Sequence, residues 1–147
     1  MRRAAAFAIP LTALDLLVKR VGSTPEWAYH ARSTSWLVLC FVLLAAIIVL
    51  LRVPSRLVPP AAGVLAAGVL GNGLSALTSG DLVVPNPLVI RAAGEVVAFN
   101  LADIFVFVGL ATILPVLARE LIIRRVAIDS YARRNRQRLL RRLRGSP

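Results

Sequence analysis

The sequence predicts an all-α membrane protein, a bundle of four transmembrane helices with both ends in the cytoplasm and short extracytoplasmic loops. Three observations predict it. Of the 147 residues, 58% are hydrophobic, more than the roughly one half usual in soluble domains. The apolar residues fall in four blocks nearly free of charge, at about 4–18, 36–51, 57–77 and 96–123. Spans of about 20 residues are what a bilayer requires, and four of them fit this length. The third observation is the placement of charge. The net charge is +11, and ten of the 18 basic residues lie between Arg119 and Arg144. Lys and Arg are retained on the cytoplasmic side. With both termini inside, Arg2, Arg3, Arg52, Arg56 and those ten make fourteen basic residues inside. Only Lys19, Arg20, Arg32 and Arg91 then lie outside. Residues 1–123 thus form the membrane domain and 124–147 a basic cytoplasmic tail.

The first block follows Met1-Arg2-Arg3 in the manner of a signal peptide. Asp15 interrupts it, Lys19 and Arg20 close it, and no small-residue cleavage site precedes them, so a retained, short first helix is expected. Gly22 to Pro25 mark a loop. Trp27, Tyr29 and Trp36 are side chains that favour the membrane–water boundary. The second block is uninterrupted. It contains Cys40, the single cysteine, which has no internal disulfide partner and lacks the small preceding residue of a lipobox, Leu39 standing there. Arg52, Pro54, Ser55 and Arg56 make a tight basic turn. The third block is rich in small residues, among them Gly63, Gly68 and Gly71, which let helices approach closely in lipid. A polar loop from Thr78 to about Glu95 leads to the fourth block, in which Pro115 predicts a kink. The tail can form a basic helix on the inner leaflet, where anionic lipid attracts Lys and Arg. Its bland role is to anchor topology, and without a recognition motif no nucleic acid is expected.

Two acids fall inside apolar blocks, Asp15 and Asp103. A carboxylate in a membrane helix is costly, and such acids face polar cavities and carry function. Both lie near the outer ends of their helices in this topology and converge on one outward-facing pocket. For Asp15 the structural explanation is favoured, a pairing with Lys19 four residues on. Asp103 has no basic residue at helical spacing before Arg119; Asn100 shares its face, and a functional role is favoured. His30 is the only histidine and has no second ligand at metal-binding spacing, so neither metal nor cofactor is expected.

Phe99-Asn100-Leu101-Ala102-Asp103 resembles the final motif of signal peptidase II, the bacterial lipoprotein signal peptidase. Gly71-Asn72 is similar to that family's Gly-Asn motif at the end of helix three, and Asp15 with Lys19 is similar to its Asp-Gln-x-x-Lys element. The resemblance implies a multi-pass protein of the bacterial cytoplasmic (inner) membrane. It also implies an aspartyl protease that cuts before a diacylglyceryl-modified cysteine, with two carboxylates activating one water. Asp103 matches the second catalytic Asp, and Asn72 and Asn100 match polar residues lining the site. The implied partners are membrane lipids and diacylglyceryl-modified prolipoproteins.

The departures fall where the chemistry is. Ser75 and Ala76 stand where the family has an Asp-Arg pair, Val84 where it has its first catalytic Asp, and Leu16 where it has Gln. The motif of the first outer loop is not recognisable in Arg32-Ser33-Thr34-Ser35-Trp36, and the small β-structure formed there is expected to be reduced or missing. Asp81 is the candidate surrogate for the absent acid, with Glu95 behind it, although an Asp after Gly80 is also common turn chemistry. The expected function is a signal peptidase II-like protein with impaired or absent proteolysis, binding lipidated polypeptide or lipid around Asp103, Asn72, Asn100, Asp15, Lys19 and Ser75. Two alternatives stay open: an active peptidase pairing Asp103 with Asp81, and a small transporter or channel subunit using the membrane acids.

Overall fold

The computed structural model describes residues 1–144, and the side chains of these except 92, 132, 133 and 135–144. The order of elements is α1 (Arg2–Val21), a 3-10 turn (Glu26–Ala28), β1 (Tyr29–Ala31), α2 (Thr34–Leu50), α3 (Val58–Thr78), β2 (Val83–Pro85), β3 (Leu88–Ala92), β4 (Glu95–Phe99) and α4 (Leu101–Arg144). The chain divides into two compact units, Met1–Ile113 and Leu114–Pro147.

In the first unit α3 is the central helix, packed against α1 and α2. It starts with Pro59 and Pro60 in its first turn, where the missing N–H groups cost nothing. Its small residues are needed because its neighbours come so close. A Cβ on Gly68 would stand 2.5 Å from the carbonyl oxygen of Ala102 in α4, and one on Gly63 would strike the carbonyl of Ala4 in α1. From the other side, Gly109 of α4 lies against the backbone of Leu65. This is how small residues substitute for hydrophobic drive when helices pack in lipid. Ser33 caps α2, its hydroxyl accepting from the Trp36 amide at 3.2 Å.

Two helices are long and apolar enough to cross a membrane, Val58–Thr78 and Leu101–Tyr131. Thr34–Leu50 is apolar throughout but has 17 residues. The two long spans differ in cover: 67% of the apolar window of the first is buried against only 17% of the second. The second therefore carries large exposed side chains such as Phe107, Leu110 and Leu114, which suit a hydrocarbon solvent.

The architecture is mostly helical rather than wholly so. β1 pairs antiparallel with β2, with His30 opposite Val84, so the small β-structure expected to be reduced or missing is present in compact form. β3 and β4 form an antiparallel hairpin from Leu88 opposite Phe99 to Ala92 opposite Glu95. Its two-residue turn, Ala93 (φ 53°) and Gly94 (φ 85°), has both residues left-handed, the twist that matches a hairpin. Residues 96–99, expected at the head of the fourth helix, belong to β4 instead. They pair with Leu88–Arg91 of β3, and the helix begins at Leu101.

The second unit is helical from Leu114 to Arg144, and the helix is not interrupted at Pro115. Arg119 meets Glu120 at 3.6 Å, and Arg134 donates to the Ser130 hydroxyl at 3.3 Å. Most of the basic side chains expected on the inner leaflet lie outside the described residues.

Candidate active site at the start of the last helix

Asn100 is the residue before the first turn of α4, and Asp103 is the third residue of that turn. The two cap each other. The Asp103 amide donates to Asn100 Oδ1 at 3.0 Å, and the Asn100 amide donates to Asp103 Oδ2 at 3.1 Å. Reciprocal bonds of this kind satisfy two of the N–H groups a helix start leaves free, and the helix dipole favours an acid there. The apolar block alone places Asp103 about two turns into the helix. It sits in the first turn, because β4 occupies the preceding residues.

The other oxygen of Asp103 leads inward. Asn72 Nδ2 donates to Asp103 Oδ1 at 2.8 Å, and Asn72 Oδ1 accepts from Lys19 Nζ at 2.7 Å. Chemistry orients the Asn72 amide: an ammonium only donates, so the oxygen faces Lys19 and the N–H faces Asp103. Lys19 also donates to Asp15 Oδ2 at 2.7 Å, and Asp15 Oδ1 accepts from the Ala102 amide at 2.8 Å. The polar residues of α1, α3 and α4 thus form a closed ring. Asp15 is fully buried, with both oxygens paired. Gly71 makes room for it, since a Cβ there would stand 2.5 Å from Asp15 Oδ2.

A second polar branch has no counterpart among the residues the sequence singles out. Asn100 Nδ2 donates to Asn86 Oδ1 at 2.6 Å. Asn86 is buried; its backbone amide donates to the Ala28 carbonyl at 3.1 Å, and its Nδ2 lies 3.2 Å from His30 Nδ1. Asn86 therefore ties the β1–β2 pair to the head of α4. Its place between Pro85 and Pro87 reads locally as an exposed turn, and nothing in the flanking sequence marks it as buried.

Two of the positions that depart from the signal peptidase II pattern share one apolar cluster. Val84 is fully buried and packs in one apolar cluster with Ala76 and Leu37, flanked by Trp36 and Leu82. Leu82 holds a left-handed backbone (φ 54°), and its carbonyl accepts from the Arg32 amide at 2.8 Å. Asp81 is exposed on the turn formed by Gly80 and Leu82. It lines a hollow of about 580 Å³ whose wall mixes Lys19, Arg20, Ser75, Thr78 and Ser79 with Leu16, Val83 and Pro85. Asp103 and Asn72 line a different hollow, an apolar groove of about 430 Å³ between α2, α3 and α4. The two share no lining residue. Of the expected site residues, the fold brings Asp15, Lys19, Asn72, Asn100 and Asp103 into one hydrogen-bonded set. It leaves Asp81 and Ser75 in the other hollow, and Glu95 exposed at the start of β4. Among the described residues no carboxylate bonds to or pairs with Asp103, and no three His, Cys, Asp or Glu side chains gather as a metal site.

The sequence profile of Signal peptidase (SPase) II matches residues 12–119. The chain belongs to the signal peptidase II family. Signal peptidase II is a bacterial integral membrane enzyme that acts on lipoprotein precursors. The match takes in the whole polar ring and the departures around Val84 alike. No curated protein matches the chain. A solved structure described as a bacterial membrane enzyme is similar in fold, with a TM-score of 0.65 and 18% identity, covering 80% of this chain and 88% of that one.

Proposed function

We propose that this signal peptidase II-type protein does not cleave lipoproteins and instead binds lipidated polypeptide or lipid in the groove beside Asp103. The observation that carries the reading is the Val84–Ala76–Leu37 cluster. The family's mechanism needs two carboxylates about one water, one ionised and one protonated. Here a buried valine stands at the first acid's position and shares one apolar cluster with the alanine that stands for the motif's arginine. The two substitutions fit together as an apolar plug. Both oxygens of Asp103 are engaged by Asn72 and Asn100, and the surrogate Asp81 lies in a separate hollow. A displaced base would have to reach the reacting atoms with little tolerance for error.

The protein spans the bacterial cytoplasmic membrane four times in this reading, with both termini in the cytoplasm. α1 and α2 join the two longer spans, and the β-structure lies on the outer face. The distribution of Lys and Arg supports that orientation. The groove opens among apolar residues of α2, α3 and α4, so a lipid chain reaches it from the bilayer.

A cleavage assay with purified protein and a diacylglyceryl-modified peptide tests the reading. No turnover is expected. Turnover that vanishes in both Asp103→Asn and Asp81→Asn overturns it in favour of an active peptidase with a displaced acid.

A further inference from the structure

The groove beside Asp103 has one charged residue at its polar end that the peptidase mechanism does not explain. Arg32, between β1 and α2, lines it together with Trp36. Its guanidinium carbon lies 5.0 Å from the centre of the Trp36 ring, and its backbone amide is tied to Leu82. Its Nε is buried and has no hydrogen-bond partner, and among the described residues no carboxylate pairs with it. That nitrogen is closed to a ligand, and it is the rest of the guanidinium, which lines the groove without a carboxylate partner, that an anionic acceptor would complete. The carboxylate in the groove does not fill this role: the partners of Asp103 are Asn72 and Asn100, and it makes no ion pair with Arg32.

Beyond Asn72 and Asp103 the rest of the groove is largely hydrocarbon. Leu39 and Leu43 of α2, Leu65 of α3, and Val106, Phe107 and Leu110 of α4 line it. From Asn72 to Leu65 the wall extends about 10 Å along α3 at 1.5 Å per residue. A ligand that fits must carry an apolar chain joined to an anionic acceptor at the depth where a Trp-stacked Arg sits. Trp and Arg at that level mark the boundary between chains and headgroups. Guanidinium favours phosphate through forked bonds in which both donor and acceptor are charged. The neck of a diacylglyceryl thioether carries no charge and leaves the guanidinium with a weaker partner.

Resting on the lipid-binding reading above, we propose that the groove holds an anionic glycerophospholipid, with its phosphate on Arg32 and one acyl chain between α2, α3 and α4. The complement is electrostatic as well as steric, since an unpaired cation at the mouth meets the phosphate and an apolar wall meets the chain.

The test uses full-length protein in a sugar-headgroup detergent, with Trp27→Phe leaving Trp36 as the single tryptophan. Quenching of Trp36 is titrated with acyl-brominated phosphatidylglycerol, brominated diacylglycerol and a brominated diacylglyceryl-cysteine peptide. Phosphatidylglycerol is expected to bind at least about tenfold tighter than diacylglycerol, the worth of one charge-assisted contact. Arg32→Gln should erase that difference and Arg32→Lys should keep part of it. Val106→Phe, which narrows the groove, should weaken all three probes. Circular dichroism confirms that each variant folds. Equal binding of phosphatidylglycerol and diacylglycerol, or phosphatidylglycerol binding unchanged in Arg32→Gln or in Val106→Phe, overturns the proposal. If the lipopeptide quenches and phosphatidylglycerol does not, the proposal fails while the lipidated-polypeptide reading stands. If no probe quenches, both fail.

Discussion

The two hollows that meet at the Lys19–Asn72 hydrogen bond differ in how much polar wall they carry. The one holding Asp81 mixes Lys19, Arg20 and the hydroxyls of Ser75, Thr78 and Ser79 with the apolar Leu16, Val83 and Pro85. The one holding Asp103 is walled by leucines, Val106 and Phe107. Between them stand an ammonium and an amide hydrogen-bonded to each other and to Asp15 and Asp103, on three helices. The contrast teaches that proximity along the motif is not proximity in chemistry. Asp81 is three residues from the position of the family's first acid, yet it opens into a different space.

The sharpest way to break the division is to remove its ammonium. Lys19→Met leaves Asp15 buried without its cation. Breaking one partner of such a pair costs about 3–5 kcal/mol. Thermal unfolding in detergent should show a large loss, and a change below about 1 kcal/mol would mean the ion pair does not hold the hollows apart. Next in size is Val84→Asp, which places an unpaired carboxylate in the apolar plug and should cost about 3 kcal/mol. Adding Ala76→Arg should recover about 1–3 kcal/mol of this in a double-mutant cycle. Strictly additive losses would show that the two positions do not meet. Asp103→Asn keeps shape but weakens the cap, with an expected cost of about 1 kcal/mol by the same melting measurement. Asp81→Asn sits at the small end: a turn residue facing solvent should change stability by less than about 0.5 kcal/mol. A larger loss would mean that Asp81 has a partner in its hollow and is not a bystander.

Much of this arrangement is legible from residue patterns. The continuous apolar run at 36–51 and the small-residue run at 57–77 correspond closely to α2 and α3, because nothing in either interrupts helical burial. The Asp15–Lys19 pairing follows from four-residue spacing on one helix face and is present at 2.7 Å. What stays hidden has local causes. Glu95-Val96-Val97-Ala98-Phe99 merges into the apolar block that follows it. Only the Ala93-Gly94 turn, with the β-branched Val89, Ile90, Val96 and Val97 on either side of it, signals a hairpin. Asn86 is hidden for the opposite reason: flanked by two prolines it reads as loop, while its burial depends on Asn100, fourteen positions on, and on Ala28 and His30 in the first half of the chain. The meeting of Val84 with Ala76 likewise depends on how the β1–β2 pair returns over α3, which no single segment encodes.

The mutual cap between Asn100 and Asp103 has a consequence for how signatures of this kind are read. An Asn followed three places later by an Asp gives a membrane helix a well-nucleated beginning regardless of whether any bond is ever hydrolysed beside it. Such a string can outlast the reaction it is named for, because folding alone gives reason to keep it. Its presence in a chain marks where a span starts, and the capacity for turnover is written on the opposite wall.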